Sequence, residues 1–239
     1  MTGGFSLIAN SAISWKPLLR FLLRNSGYIT NDDNVSRRFP FYLLRYPTIL
    51  RQKENTMVSR SEALALLKKY TPDEAHLHHA YCVEATMKTF ARHYGYDETY
   101  WSLVGLLHDI DYALYPDRHC QVAPKLLSEI GVDEAFIRAV VSHGWGLCSD
   151  VEPIHFMEKV LYTIDELTGL IYANALMRPE RMKGMSVKSV RKKWSSPSFA
   201  KGVNREVIAK GAELLGLEIN DIITRTIEAL TEISSEIGL

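Results

Sequence analysis

The chain has 239 residues, 46% of them apolar and 23% charged, with a formal net charge of zero. That length makes one large domain or a domain with an appendage, and the apolar share is enough for a sizeable core. The balance gives no general reason to bind nucleic acid, and no apolar run approaches the roughly 20 residues needed to span a bilayer. The three cysteines, Cys82, Cys120 and Cys148, are an odd set without zinc-finger spacing, which suits a reducing cytoplasm better than a disulfide framework.

Residues 1–56 differ in character from the rest of the chain. They hold eight Lys or Arg against three Asp or Glu, so in a neutral chain the remainder carries a surplus of five acidic charges. Asn31-Asp-Asp-Asn34 has the composition of a turn, and Arg37 to Leu50 mixes aromatics, arginines and two prolines without periodicity. The first 31 residues lack acids, as transit peptides do, but they also lack the central apolar block of a secretory signal. We read 1–56 as a basic extension, poorly ordered or an upstream translation that is not native, and 57–239 as the functional domain, with Met57 its natural start.

From Met57 the pattern predicts one helix after another. Ser59 and Glu62 make a capping box that opens a helix through Tyr70. Thr71-Pro72-Asp-Glu74 repeats the signal, with Pro72 at the first helical position of a helix running to about Tyr94 and stopped by Gly95. Asp97 caps the next, which ends near His108. Further helices are expected over about 120–130, 133–142, 153–175, 204–215 and 219–237. The last carries Ile219, Ile222, Ile223, Ile227, Leu230, Ile233 and Ile237 on one stripe, a helical period facing a core. No segment alternates as a strand does, so the fold class is all-α.

Histidines and aspartates punctuate these helices. His76, His78 and His79 fall within four residues of the second helix, where His76 and His79 share a face and His78 points elsewhere. His108 and Asp109 end the apolar run Tyr100 to Leu107, and a buried His-Asp pair there needs a partner. Asp165 falls mid-helix among Val160, Leu161, Ile164, Leu167 and Leu170, where an unpaired carboxylate is expensive. His119 and His143 lie between. Imidazole and carboxylate are the ordinary ligands of Fe, Mn and Zn in hydrolytic sites, so a divalent transition metal is the simplest partner for the His108-Asp109 pair and for Asp165. Asp111, two residues after the pair, is a candidate proton shuttle or a helix cap. Cys120 and Cys148 flank the later histidines as either soft ligands or small core thiols.

In order, His79-Ala-Tyr-Cys-Val-Glu84, Leu106-Leu-His-Asp-Ile-Asp-Tyr112, His119-Cys-Gln-Val-Ala123, Val141-Ser-His143 and Asp165-Glu-Leu-Thr-Gly169 resemble the successive motifs of the HD superfamily of metal-dependent phosphohydrolases, from about Met57 to near the C-terminus. The resemblance implies an HD-type helical bundle and selects His79, leaving His76 and His78 as surface histidines. It implies that His79, His108, Asp109 and Asp165 hold one Fe, Mn or similar ion. His119 and His143 then either supply a second ion, bridged to the first by Asp109, or act as capping or substrate-binding groups. His108, Asp109 and Asp111 are the catalytic candidates, and the nucleophile is an activated water.

A phosphate substrate also needs positive charge beyond the metals. Arg118 directly precedes His119. Lys188 and Arg191 share a helical face in a basic stretch that resembles one following the last Asp in this subgroup; a solvated charged face is the alternative. The Gly-Tyr-Pro signature of cyclic-dinucleotide phosphodiesterases is absent after Asp109. The expected activity is hydrolysis of a phosphoester or phosphoanhydride in a nucleotide or related metabolite. Two alternatives stand beside it: a di-iron oxygenase of the same ligand set, and a non-enzymatic metal- or nucleotide-binding sensor. The expected partner is a small phosphorylated molecule, with no nucleic acid and no membrane, in the cytoplasm; homo-oligomerisation is left open.

Overall fold

The computed structural model of the chain describes residues 58–196 and 198–239, so the reading of 1–56 as an extension lies outside the described residues. Those residues fold as a bundle of nine α-helices: α1 (Arg60–Tyr70), α2 (Glu74–Tyr94), α3 (Glu98–Leu107), α4 (Ala123–Leu127), α5 (Glu134–Ser142), α6 (Phe156–Leu176), α7 (Val187–Trp194), α8 (Arg205–Leu215) and α9 (Ile219–Glu232). Among them there is no strand, only one isolated bridge between Trp145 and Ser149. No described helix is long and apolar enough to cross a membrane.

Local chemistry sets most boundaries. Ser59 and Glu62 form the expected capping box on α1, their exchange including a 2.9 Å bond from the Ser59 N–H to Glu62 Oε2. Asp97 accepts from the Thr99 and Tyr100 N–H groups, and Gly95 ends α2 in the left-handed conformation at φ 76°. The α2 start needs correcting. Asp73, not Thr71, is the cap, accepting the His76 N–H at 3.0 Å, so Pro72 precedes the cap instead of opening the helix. An aspartate two places later out-competes Thr71 because its carboxylate reaches the free amides.

Three other expectations change. The single element over 120–130 is α4 followed by a 3₁₀ turn at Ser128–Ile130, since Pro124 and a short apolar face sustain little more than one α-turn. Helix α9 stops at Glu232, although Ile233 and Ile237 still pack on the core beyond its end. Helix α7, absent from the predicted set of elements, forms because Ser186 caps it and Val190 is buried.

The core runs through α2, α3, α6, α8 and α9. Its most extensive contacts join α2 to α3 and α6 to α8, with α9 packing against α2 and α6. Close approach depends on two glycines. A Cβ on Gly105 of α3 would lie 2.9 Å from the Val83 carbonyl oxygen and 3.1 Å from Glu84 Cα on α2. A Cβ on Gly211 of α8 would lie 2.1 Å from Thr163 Oγ1 on α6. The two glycines therefore bring α3 onto α2 and α8 onto α6 within about a turn of His79, His108 and Asp165.

Candidate metal centre

Each candidate ligand arrives on a different support. His79 stands on α2 and Asp165 in the middle of α6. His108 caps the C-terminus of α3, with Asp109 next, and His143 caps the C-terminus of α5. His119 does not open a helix as its sequence position suggested. It ends the 3₁₀ turn Pro116–Arg118, four residues before α4, and a short loop carries it back toward the end of α3.

The six side chains nonetheless converge. Asp109 Oδ2 lies 3.3 Å from His108 Nε2 and 3.7 Å from His79 Nε2. Its other oxygen, Oδ1, lies 3.3 Å from both His119 Nε2 and His143 Nε2. Asp165 Oδ1 completes the first group at 2.9 Å from His79 and 3.4 Å from His108. The ring nitrogens also face each other, with Nε2–Nε2 distances of 3.2 Å for His79–His108 and 3.0 Å for His119–His143. Donor atoms of His79, His108 and Asp109, and of His108, His143 and Asp165, lie within 4.8 Å of one another. His108 is fully buried, while His79, Asp109 and Asp165 keep 25%, 17% and 21% of their side chains open to a cleft.

The outer hydrogen bonds show what this arrangement can hold. His108 Nδ1 meets the Gly105 carbonyl at 2.8 Å, His143 Nδ1 meets the Val140 carbonyl at 2.5 Å, and His119 Nδ1 meets Asp111 Oδ1 at 2.8 Å. Carbonyl and carboxylate oxygens only accept, so each Nδ1 carries the proton and each neutral ring turns a lone pair on Nε2 into the cleft. Three imidazoles with that tautomer imposed from behind, facing two carboxylates, are a donor set suited to divalent transition metals.

Without a cation, these groups can only neutralise one another. Burial opposes the charged His108 ring, but Asp109 and Asp165 outweigh it and raise its pKa well above the usual histidine range. Burial likewise opposes His119, and Asp111 and then Asp109 raise it. Burial would raise the two carboxyls, yet the imidazoles, led by His108 in both cases, hold Asp109 and Asp165 well below the ordinary carboxylate range.

Of the two readings of Asp111, the geometry supports the cap. Asp111 is wholly buried behind His119, and besides the His119 ring it accepts the backbone N–H groups of Val122 and Ala123 at 3.1 and 2.7 Å. It orients His119 and caps the start of α4, and its oxygens do not face the cleft. His76 and His78 also take other roles. His76 pairs with Asp73 and packs by Tyr112, and His78 lies 3.4 Å from the Tyr172 hydroxyl.

The substrate-side candidates fare unevenly. Arg118 is exposed beside His119, its guanidinium 5.2 Å from the Tyr115 ring. Lys188 and Arg191 are exposed on α7, which packs on α6 and α9; its anchor on α6 is Asn174, bonded to Ser189 at 3.1 Å. Asn174 lies nine residues beyond Asp165, about 14 Å along the axis, so the α7 anchor is well removed from the ligands. Arg191 instead covers Trp194 at 5.7 Å.

Two neighbours were not picked out from sequence. Glu166, beside Asp165, accepts the Asn204 N–H at 2.9 Å, and burial followed by the Asp165 charge raises its carboxyl pKa. Arg205 donates to the carbonyls of Trp194, Phe199 and Val203 at 2.9, 2.6 and 3.1 Å, pinning the α7–α8 loop next to Glu166. An acid directly following a predicted ligand was the available signal for Glu166; nothing local marks Arg205. Cys120 and Cys148 lie 3.4 Å apart beside His119 and His143. The Cys148 thiol is lowered to about 6, first by its hydrogen bond with Cys120 and then, against burial, by the two imidazoles.

Comparison with protein-family models, curated proteins and solved structures returned no match.

Proposed function

We propose that this chain is a metal-dependent phosphohydrolase of the HD type, cleaving a phosphoester or phosphoanhydride bond of a nucleotide or related metabolite. The observation that supports it most is the division of Asp109, whose two oxygens face two separate groups of imidazoles. In this reading His79, His108, Asp109 and Asp165 hold one Fe, Mn or similar ion. His119, His143 and the second oxygen of Asp109 hold another. Bound there, such a pair supplies Lewis acidity that activates water and steadies the attacking and leaving oxygens of an in-line displacement.

The chain's own residues do the rest. The Gly105 and Val140 carbonyls and Asp111 keep three imidazoles aimed at the cleft. Asp109 and Asp165 carry the negative charge that balances a dication. The open edges of His79, Asp109 and Asp165 admit substrate while His108 seals the floor. Arg118, exposed one residue from His119, is the side chain this reading assigns to a phosphate oxygen outside the ligand shell. A cytoplasmic setting belongs to the same proposal, supported by three free cysteines.

The test is metal analysis of anaerobically purified protein, followed by a panel of phosphate monoesters, diesters and nucleoside polyphosphates. The expected result is bound transition metal and phosphate release without oxygen. Turnover that requires oxygen and a mixed-valent iron pair would replace this reading with the oxygenase one.

A further inference from the structure

The two thiols beside His119 and His143 have no part in the proposed hydrolysis, yet the chain is shaped to bring them together. Cys120 and Cys148 are 28 residues apart in sequence and their sulfurs are 3.4 Å apart. Both sulfurs occupy the space over Gly144. A Cβ built there would fall 2.4 Å from Cys148 Sγ and 2.7 Å from Cys120 Sγ, so any other residue at 144 would drive the thiols apart. The Gly144 carbonyl gathers the N–H groups of Leu147, Cys148 and Ser149 at 3.0, 3.0 and 3.1 Å, and this tight turn folds Cys148 back over it. Cys120 reaches the same point with φ at 64°, a left-handed conformation unusual for a residue with a side chain, while its N–H is directed to Asp111.

The environment divides the labour between them. Cys120 is buried, at 3% exposure. Cys148 is partly exposed, and both thiols border a cavity of about 540 Å³ lined also by Gln121, Ser149 and Asp150, large enough for a small oxidant. Cys82 sits apart in the core on α2, where burial pushes its thiol up to about 12 and keeps it unreactive.

We propose that Cys120 and Cys148 are a redox-active dithiol that a hydroperoxide closes to a disulfide. Cys148 sulfur attacks the peroxide, an S–O bond forms as the O–O bond breaks, and the departing oxygen takes a proton to leave as alcohol or water. Cys120 sulfur then attacks the sulfenic sulfur of Cys148, the S–S bond forms, the S–O bond breaks, and water leaves. Two electrons pass from the thiols to the peroxide. Closure shortens the sulfur separation to about 2.05 Å, and Gly146, at φ 77°, gives the turn a position free to adjust. The bridge ties the turn after His143 to the loop of His119.

The experiment treats the full chain with hydrogen peroxide, and separately with the metal-independent oxidant diamide, then alkylates and maps the peptides. Both treatments should reduce the free thiols from three to one, remove the mass of two hydrogens, and link Cys120 to Cys148 until dithiothreitol reverses it. The Cys148→Ser protein should keep its thermal midpoint and metal content and form no bridge. Three free thiols after excess oxidant, a link to Cys82 or to a second chain, or Cys148 carried to sulfinic acid with Cys120 still free would each overturn the proposal.

Discussion

Asp109 and Asp111 are two residues apart, of the same type, and opposite in what they face. Asp109 offers one oxygen to His79 and His108 and the other to His119 and His143. Replacing it with Asn keeps the volume but removes the charge from both positions and leaves one weaker, neutral oxygen where two charged ones stood. Asp109→Asn should therefore lose both ions by metal analysis and all hydrolysis, and an unchanged metal content would sink the assignment. Asp111→Asn should act more narrowly. Loss of an outer partner of a ligating histidine typically costs about 10–100-fold in metal affinity, and here only the ion at His119 and His143 should weaken, so titration should separate the two classes of site. The resemblance to the HD motifs named six candidate ligands, and the structure brings their side chains together. Sequence could not assign Asp111, since a carboxylate two places past the pair can face the cleft or fold back, and only the return of the Val122–Ala123 amides decides which.

At the scale of elements, the centre depends on how closely α2 and α3 approach. Gly105 lies one turn before His108, against the backbone of Val83 and Glu84 and the side chain of Met87. A methyl there has nowhere to go except by parting the helices. Overpacking of this kind typically costs about 1–3 kcal/mol. Gly105→Ala should thus lower the thermal midpoint by roughly 2–4 °C per kcal/mol in a domain of this size, and should weaken metal binding because His79 and His108 sit on the two separated helices. An unchanged midpoint would mean that the two helices can part at no cost and that their close crossing does not hold the site. Most helices were legible because caps and apolar stripes are local signals; α7 was not, being short and largely basic. Lys188 and Arg191 look like phosphate ligands by their spacing and by the resemblance of their basic stretch, not by any tertiary signal. They do share a basic helix, but packing of α7 on the Asn174 end of α6 is a tertiary outcome that no local pattern reports. Likewise the Arg205 clasp on the α7–α8 loop uses backbone carbonyls, which carry no mark in the sequence.

At the scale of the molecule, a metal centre at this cluster would couple metal, protons and stability. In the metal-free protein His108 and His119 are raised, so their contribution is full below the ordinary histidine pKa of about 6.5 and is lost as pH rises through their folded values. Asp109 and Asp165 are lowered, so their contribution is present above about 4 and is lost as pH falls through their folded values. The metal-free chain should therefore gain most from this cluster between roughly pH 4 and 6.5, and lose that gain toward alkaline pH as the imidazolium partners of the carboxylates discharge. Metal binding has the opposite slope, because a ligating imidazole must give up its proton. Adding metal to unbuffered protein near neutrality should release protons. The midpoint difference between loaded and chelated protein should widen from pH 5.5 to 8. At free metal about 100 times the dissociation constant, each ion stabilises by about 2.7 kcal/mol, equivalent to roughly 5–10 °C here. A difference that stays flat or narrows across that range would show that metal does not replace protons on these histidines, and the shared centre built on Asp109 would have to be abandoned.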